Sequence, residues 1–309
     1  MRLKKSQCKQ DIINQAMMLG FTACRFVSAV PVDDNAVRDY NDWISCGKHD
    51  EMHYMERNGD IRSNPELLFE GAHTIICLAI NYFPKTFQPH HAPQFAYYAY
   101  GNDYHNILRS KLKQLSKFIE TEYGAKSRCC VDTAPIRERY WAKRSGLGFI
   151  GRNNQLIIPG KGSYFFLCEL ITTLSIEPDA PCMLSCGDCN RCIEACPTQA
   201  LSLKGALDAR KCLSCLTIEH HGDLPATLNI GNHIYGCDEC QKACPHNSHA
   251  QPTEIEEFTP SDAFLSLNHE TIGAMTQESF NNLFKHSAIK RATLATLQRT
   301  LKRLKNNSQ

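Results

Sequence analysis

Between Cys186 and Pro245 the chain carries two spaced cysteine runs, and they restrict its fold more than any other feature. The first run is Cys186, Cys189, Cys192 and Cys196, followed at once by Pro197. This is the C-x2-C-x2-C-x3-C-P pattern in which thiolates hold a cubane iron–sulfur cluster. A partial second copy follows as Cys237, Cys240 and Cys244, closed by Pro245. Ile234 stands where a complete second copy would place its first cysteine. The eighth ligand therefore comes from upstream, where Cys212 and Cys215 are the two candidates.

In two-cluster ferredoxins the fourth cysteine of each run serves the other cluster. That crossing assigns Cys186, Cys189, Cys192 and Cys244 to one cluster. Cys196, Cys237, Cys240 and either Cys212 or Cys215 fall to the second. The prolines end the short helices that carry the first cysteines, because proline lacks the N–H that a helix interior needs. Structural zinc is the competing use of paired C-x2-C knuckles, but three cysteines at x2 spacing with a C-P ending favour the cluster. Disulfides are disfavoured: the first residues, Met-Arg-Leu-Lys-Lys, run into a polar helical pattern with no signal-peptide character. An intracellular chain with 17 cysteines is expected to use them for metal. The stretch reads as an electron-transfer module.

A length of 309 residues suits two or three domains, and 42% hydrophobic with 21% charged residues is ordinary for a globular protein. The longest apolar run, Thr74 to Ile80, has the length of a strand rather than of a membrane span. The net charge of +2 is uninformative, but Lys285 to Lys305 holds seven Lys or Arg and no acid. No period of 20 to 50 residues is present beyond the duplicated cysteine runs.

The pattern predicts helices over residues 7–18, 35–46 and 105–123, and strands over 21–30, 74–83 and 127–132. The third helix puts Leu108, Leu112, Leu115 and Phe118 on one face. Residues 154–158 and 163–174 read as a strand pair joined by Pro-Gly-Lys-Gly. This alternation implies an α/β or α+β catalytic body ahead of the cysteine module. His90 and His91, in a proline-rich loop, read as solvent-facing rather than as ligands. After a polar linker over 247–257, helices are expected over 277–286 and 288–305. The last carries Leu294, Leu297, Leu301 and Leu304 as a packing seam and a basic opposite face suited to phosphate.

Asp132 falls where a strand ends, with Pro135 in the expected first turn of the next helix. Helix capping is its plain explanation; a catalytic group projected into a cleft is the sharper one. Gly146, Gly148 and Gly151 spell G-x-G-x-x-G, but no strand precedes them and no acid follows at the right distance. A dinucleotide site is therefore discounted.

With these residues in view, the chain resembles the epoxyqueuosine reductases, cobalamin-dependent iron–sulfur enzymes of queuosine synthesis in tRNA. The resemblance covers nearly the whole chain. It runs through Met52-His-Tyr-Met, Tyr98-Ala-Tyr-Gly-Asn-Asp-Tyr-His, Val131-Asp-Thr-Ala-Pro-Ile-Arg-Glu-Arg and Gly146-Leu-Gly-Phe-Ile-Gly. It continues through Gly162-Ser-Tyr-Phe-Phe-Leu-Cys-Glu, Asp208-Ala-Arg-Lys-Cys-Leu-Ser-Cys-Leu-Thr-Ile-Glu and Gly231-Asn-His-Ile-Tyr-Gly-Cys-Asp-Glu-Cys-Gln. Two departures stand out: Tyr100 replaces an arginine common in the family, and the chain stops where many members continue into a helical-repeat domain.

The resemblance implies an α+β fold. An α/β cobalamin-binding body (1–180) precedes a ferredoxin-like domain with two [4Fe-4S] clusters (181–248), and C-terminal helices (249–309) touch tRNA. It selects Cys212 as the eighth ligand and leaves Cys215 a buried thiol. It makes Asp132 the proton donor, which requires the carboxyl to be protonated near neutral pH and buried away from cations. Tyr98, Asp132, Asn154, Ile158, Ser163, Ser214 and Asp238 are the implied cobalamin neighbours. Lys290, Arg291, Arg299, Lys302 and Arg303 are the candidates for phosphate contacts. The implied reaction removes the epoxide oxygen from the wobble nucleoside of tRNAs with a G-U-N anticodon. Electrons would come from a donor such as a flavodoxin or ferredoxin, in the cytoplasm and away from membranes. A corrinoid reductive dehalogenase, which usually carries an export signal, is the second enzyme reading. A plain electron carrier and a zinc-ribbon nucleic-acid binder are the readings from other classes.

Overall fold

The computed structural model describes residues 2–203, 207–225 and 227–307. Among these, eight strands occur: β1 (Ala23–Ser28), β2 (Thr74–Asn81), β3 (Gln94–Phe95), β4 (Ser127–Cys130), β5 (Phe149–Ile150), β6 (Leu156–Ile157), β7 (Phe165–Thr172) and β8 (His233–Tyr235). The main sheet has the order β1-β2-β7-β4, and every neighbouring pair is antiparallel. An antiparallel sheet flanked by helices makes the fold α+β.

β2 shows why its sequence is apolar at nearly every position. Ile76, Leu78 and Ile80 enter one core with Ile12 and Ala16 of the helix Arg2–Met18 and Leu108, Leu112, Leu115 and Ile119 of the helix Tyr104–Tyr123. Ile75, Cys77 and Ala79 enter the opposite core with Trp141 and Ala142 of the helix Glu138–Arg144. Successive side chains point to opposite faces, so a strand covered on both sides is apolar throughout. The helix Tyr104–Tyr123 starts because Asp103 caps it, accepting from the His105 N–H at 3.0 Å. It stops at Gly124, whose φ of 66° suits a residue without Cβ.

Two local expectations change here. The predicted hairpin over 154–174 is reduced to one bridge, Ile158 with Gly162, because β6 pairs with β5 and β7 with β2 and β4. Pro135 lies in a loop, and the helix after it begins only at Glu138. The glycine-rich segment serves close backbone packing: a Cβ on Gly148 would collide with the Ile157 carbonyl, and one on Gly146 with the Ala180 carbonyl.

Packing also crosses the expected domain boundaries. Phe95, Ala99 and Tyr100 share a core with Ile234 and Tyr235, and with Phe264, Phe284, Leu297, Leu301 and Leu304. β3 pairs in parallel with β8, which ties the first 180 residues to the cysteine module. The C-terminal segment is thus the far wall of a shared core. The leucine seam of the helix Leu294–Asn307 faces into it, with Leu297, Leu301 and Leu304 each at 3% exposure or less.

Candidate active site and cluster centres

Nine cysteines fall between residues 186 and 244, and eight of them sort into two groups in space. Cys186, Cys189, Cys192 and Cys244 line one cavity of about 290 Å³, walled by Arg152, Asn153, Ile157 and His246. Cys196, Cys212, Cys237 and Cys240 open onto a second, of about 1060 Å³. Short helices, Arg191–Glu194 and Glu239–Lys242, bring the two runs side by side. Burial and then the charges of Cys186 and Cys244 push the Cys192 thiol above its ordinary value. Burial, Cys237 and Cys212 do the same to Cys240. Four thiols that oppose one another's ionisation need a cation among them, so each group suits an iron–sulfur cluster. Cys215 belongs to neither group; its Sγ lies 3.7 Å from the Asp50 carboxylate.

The larger cavity reaches past its four thiols into the catalytic body. Tyr98, Tyr104 and Phe166 form part of its wall, with Ser214 and Asp238 on the module side. Counted as space that a water-sized sphere can enter, it holds about 280 Å³, close to the lower end of small-molecule pockets, roughly 300–1,000 Å³. An aromatic wall of this extent fits a bulky, largely apolar ring system. Asp238 is 4% exposed and accepts from the Tyr97 N–H at 2.7 Å; burial pushes its carboxyl up to about 6.

Three expected cofactor neighbours are placed elsewhere. Asn154 and Ile158 do not line this cleft: the Asn154 carbonyl accepts from Arg139, and Ile158 packs in the core beneath the sheet. Ser163 is a clasp between body and module, donating to Gln241 at 2.8 Å while its N–H donates to Asn247 at 2.7 Å. His90 and His91 are exposed, as a proline-rich loop predicts.

Asp132 follows β4 in a loop and caps no helix; the nearest one starts six residues later. Its φ is 46°, in the left-handed region, which costs a non-glycine residue about 1–3 kcal/mol. Its Oδ2 lies 2.9 Å from Nε2 of His105, whose Nδ1 lies 2.6 Å from Asp103. Tyr104 stacks on His105 at 4.2 Å and on Phe166 at 4.2 Å, linking this cluster to the cleft wall. Burial pulls the His105 imidazole down, but its two carboxylate partners win and raise it to about 9. Burial raises Asp132, and the His105 hydrogen bond and charge then hold it below the ordinary carboxylate value. This corrects the expectation of an acid buried away from cations: the Asp132 side chain is 41% exposed and faces an imidazole whose value is raised.

Beneath the loop lie two acids that sequence reasoning passed over. Glu138 accepts the Asp132 N–H at 2.7 Å, and burial with the Asp132 charge pushes it up to about 8. Glu169, at 0% exposure on β7, has no hydrogen-bond partner for either carboxyl oxygen. Burial and the charge of Glu138 push it well above its ordinary value. The signal was present as Asp103-Tyr-His, Arg137-Glu and a glutamate inside a wholly apolar strand.

The basic C-terminal face is used unevenly. Arg299 donates to the carbonyls of His220 and Gly222, each at 2.7 Å, and of Leu216 at 2.9 Å. Arg303 donates to the Leu228 carbonyl at 3.0 Å. Both tie the final helix to the module, which displaces the expectation of phosphate contacts. Lys290 and Lys302 are exposed. Arg291 pairs with Glu219 at 2.9 Å and lies 5.5 Å over the ring of Tyr54.

Comparison with known proteins bears on this geometry. Residues 62–133 match the family model "Epoxyqueuosine reductase QueG, DUF1730", and residues 185–247 match "4Fe-4S double cluster binding domain". The epoxyqueuosine reductase of Cellulophaga algicola is 38% identical over 299 residues, spanning 96% of this chain and 97% of its own. The chain belongs to the epoxyqueuosine reductase family. Within that family, an enzyme solved with an epoxyqueuosine-modified tRNA-Tyr stem loop superposes with a TM-score of 0.87 at 30% identity. The match covers 97% of this chain and 81% of that one. A Bacillus subtilis member, solved with its catalytic aspartate loop swung out of the active site, has the same TM-score and coverage at 29% identity. Membership removes the plain electron carrier and the zinc ribbon as readings, and the matched double-cluster domain assigns the cysteine module to two 4Fe-4S clusters.

Proposed function

We propose that this chain reduces epoxyqueuosine to queuosine at the wobble position of tRNA, with cobalamin seated in the large cleft. The observation that carries the reading is a single cavity. One wall holds four cysteines of the double-cluster module, the other holds Tyr98 and Tyr104, and the His105–Asp132 pair stands next to Tyr104. The relative solved with a modified tRNA stem loop supports tRNA as the substrate.

Cys186, Cys189, Cys192 and Cys244 hold one cluster, and Cys196, Cys212, Cys237 and Cys240 the other. Tyr98, Ser214 and Asp238 border the cobalamin. Cobalamin supplies a strongly reducing cobalt centre, to which iron–sulfur clusters are suited to pass electrons singly. The residues of the body manage protons. His105 holds a proton on Nε2 against Oδ2 of Asp132, and Asp103 fixes the imidazole from its other side. The opening epoxide oxygen takes that proton through Asp132, so the anionic aspartate serves as the final carrier. Its partial exposure is the access route for a nucleoside presented outside the anticodon stack. Lys290, Arg291 and Lys302 remain as candidates for the phosphate backbone. Residues 1–180 form the catalytic body, with 181–248 as the electron relay and 249–309 buttressing it. The donor is a flavodoxin- or ferredoxin-like protein, and the enzyme works in the cytoplasm. No helix among the described residues is long and apolar enough to cross a membrane.

Anaerobic turnover tests this reading. Protein reconstituted with iron, sulfide and cobalamin is given a chemical reductant and epoxyqueuosine-containing tRNA, and the nucleosides are read by mass. A product lighter by one oxygen, formed only with cobalamin present, is the expected result. No product from protein carrying both clusters and the corrin would overturn it.

A further inference from the structure

Asp132 occupies a left-handed backbone conformation, which aspartate enters more readily than most residues but which still costs energy that neighbouring contacts offset. The loop it belongs to, residues 131–137, has no regular structure of its own. Two of the hydrogen bonds that hold the aspartate matter here. One is the side-chain bond to His105; the other runs from its own N–H to Oε1 of Glu138 at 2.7 Å. The second is independent of the chemistry at the carboxylate, and it acts on the backbone that sets where the carboxylate points.

We infer that Glu138 is a positioning residue for the proposed proton carrier: its carboxyl oxygen latches the Asp132 N–H and keeps the loop folded into the site. The inference rests on the role given to Asp132 above. Glu138 opens the helix Glu138–Arg144, which packs against β2 and β7, so the latch is anchored to the sheet rather than to the loop. Beneath it lies Glu169, wholly buried on β7 with both oxygens unpartnered. Two acids close enough to repel in a dry setting do not both ionise, so a proton stays with the pair. An acid oxygen accepts an N–H whether or not its neighbour oxygen is protonated, and the latch therefore holds in either state. Asp132, His105 and Arg139 are the other charged groups that act on Glu138. The arrangement separates two tasks: His105 sets the charge at Asp132, and Glu138 sets its direction.

The test uses Glu138→Ala and Glu138→Gln in the reconstituted holoenzyme, together with amide hydrogen exchange of the unaltered protein. The alanine variant is expected to lose at least about tenfold in kcat, with KM for tRNA within about threefold and both clusters retained. The glutamine variant keeps an acceptor oxygen and is expected to restore kcat to within about threefold of the parent. In the unaltered protein the Asp132 amide should exchange at least about tenfold more slowly than the Thr133 amide, for which no hydrogen bond is found. A glutamine variant as impaired as the alanine one would overturn the latch, as would an alanine variant with parental kcat. If the alanine variant does not fold, the exchange rate decides: an unprotected Asp132 amide overturns the inference. The exchange measurement needs no substrate, so a parent protein inactive on epoxyqueuosine tRNA would sink the functional reading while leaving the latch result intact.

Discussion

The two cysteine cavities have the same donors and different surroundings. Cys186, Cys189, Cys192 and Cys244 enclose a small space of about 290 Å³, faced by Arg152 and His246. Cys196, Cys212, Cys237 and Cys240 open into about 1060 Å³ shared with Tyr98, Tyr104 and Phe166. One site is a narrow space beside Arg152 and His246, and the other is part of a cleft next to an acid–base pair. On the proposed function the two centres then have an order, with electrons entering at the first and leaving from the second into the cleft.

The largest expected effect tests that order. Cys240→Ala should lower iron from about eight to about four atoms per chain and abolish turnover with any reductant. Cys189→Ala should lose the same iron yet keep measurable turnover when a small chemical reductant replaces the protein donor. Iron analysis with assays under both reductants checks the pair. Equal and complete loss in both variants would erase the distinction between entry and exit sites.

The open cavity has an acid–base pair beside it, so pH should separate assembly from turnover. His105 sits above its ordinary value, at about 9, and Asp132 below its own. The imidazolium therefore persists until pH rises through about 9, and kcat should fall along that limb while iron content stays constant. The stability that His105 contributes follows the same sign, present in full below about 6.5, the free imidazole value, and lost as pH passes about 9, whereas that of Asp132, whose value is lowered, is lost as pH falls. Asp132→Asn should cost about 10²–10⁴ in kcat with both clusters intact. A flat profile up to pH 10 would remove His105 from the proton path.

What was legible in the sequence follows the same division. The cluster cysteines were readable because short helices fix their spacing locally, and β2 because a strand covered on both faces is apolar throughout. Of the acid–base pair only Asp132 was named, through the resemblance, and its partner His105 was not. His105, Asp132 and Glu138 come from a helix start, a loop and the next helix, and no spacing along the chain brings them together. Asn154, Ile158 and Ser163 came from the family resemblance and not from any pattern along the chain, and none of the three is among the residues that line the cleft. The basic final helix showed its charge but not its use, since carbonyls that bind Arg299 leave no trace in a sequence.

Arg299 gives a smaller and more local test. Its three carbonyl partners lie at or just beyond the helix Leu213–Ile218, whose N-cap is Cys212, a thiol of the open cavity. Arg299→Ala should cost about 1–3 kcal/mol of stability, since its hydrogen bonds are charge-assisted. It should also loosen iron held by the open cavity before that of the enclosed one. Thermal unfolding and timed chelation follow both effects. Lys302→Ala, on the exposed side of the same helix, should leave stability unchanged and weaken tRNA binding modestly at low salt.

The smallest effect is expected where the sequence was most ambiguous. Cys212 and Cys215 are three residues apart, and spacing alone allows either to complete the open site. Burial and the charges of Asp50 and Cys212 push the Cys215 thiol up, but burial does the same to Cys237 of the open site, so position and not ionisation separates the candidates. The Cys215 Sγ points toward the Asp50 carboxylate, away from the group formed by Cys196, Cys237 and Cys240. Cys215→Ser keeps a donor for that carboxylate and should leave iron at about eight atoms per chain, with turnover close to that of the parent protein. Cys212→Ser should halve the iron. The reverse outcome would move the eighth ligand by one helical turn and redraw the floor of the cleft.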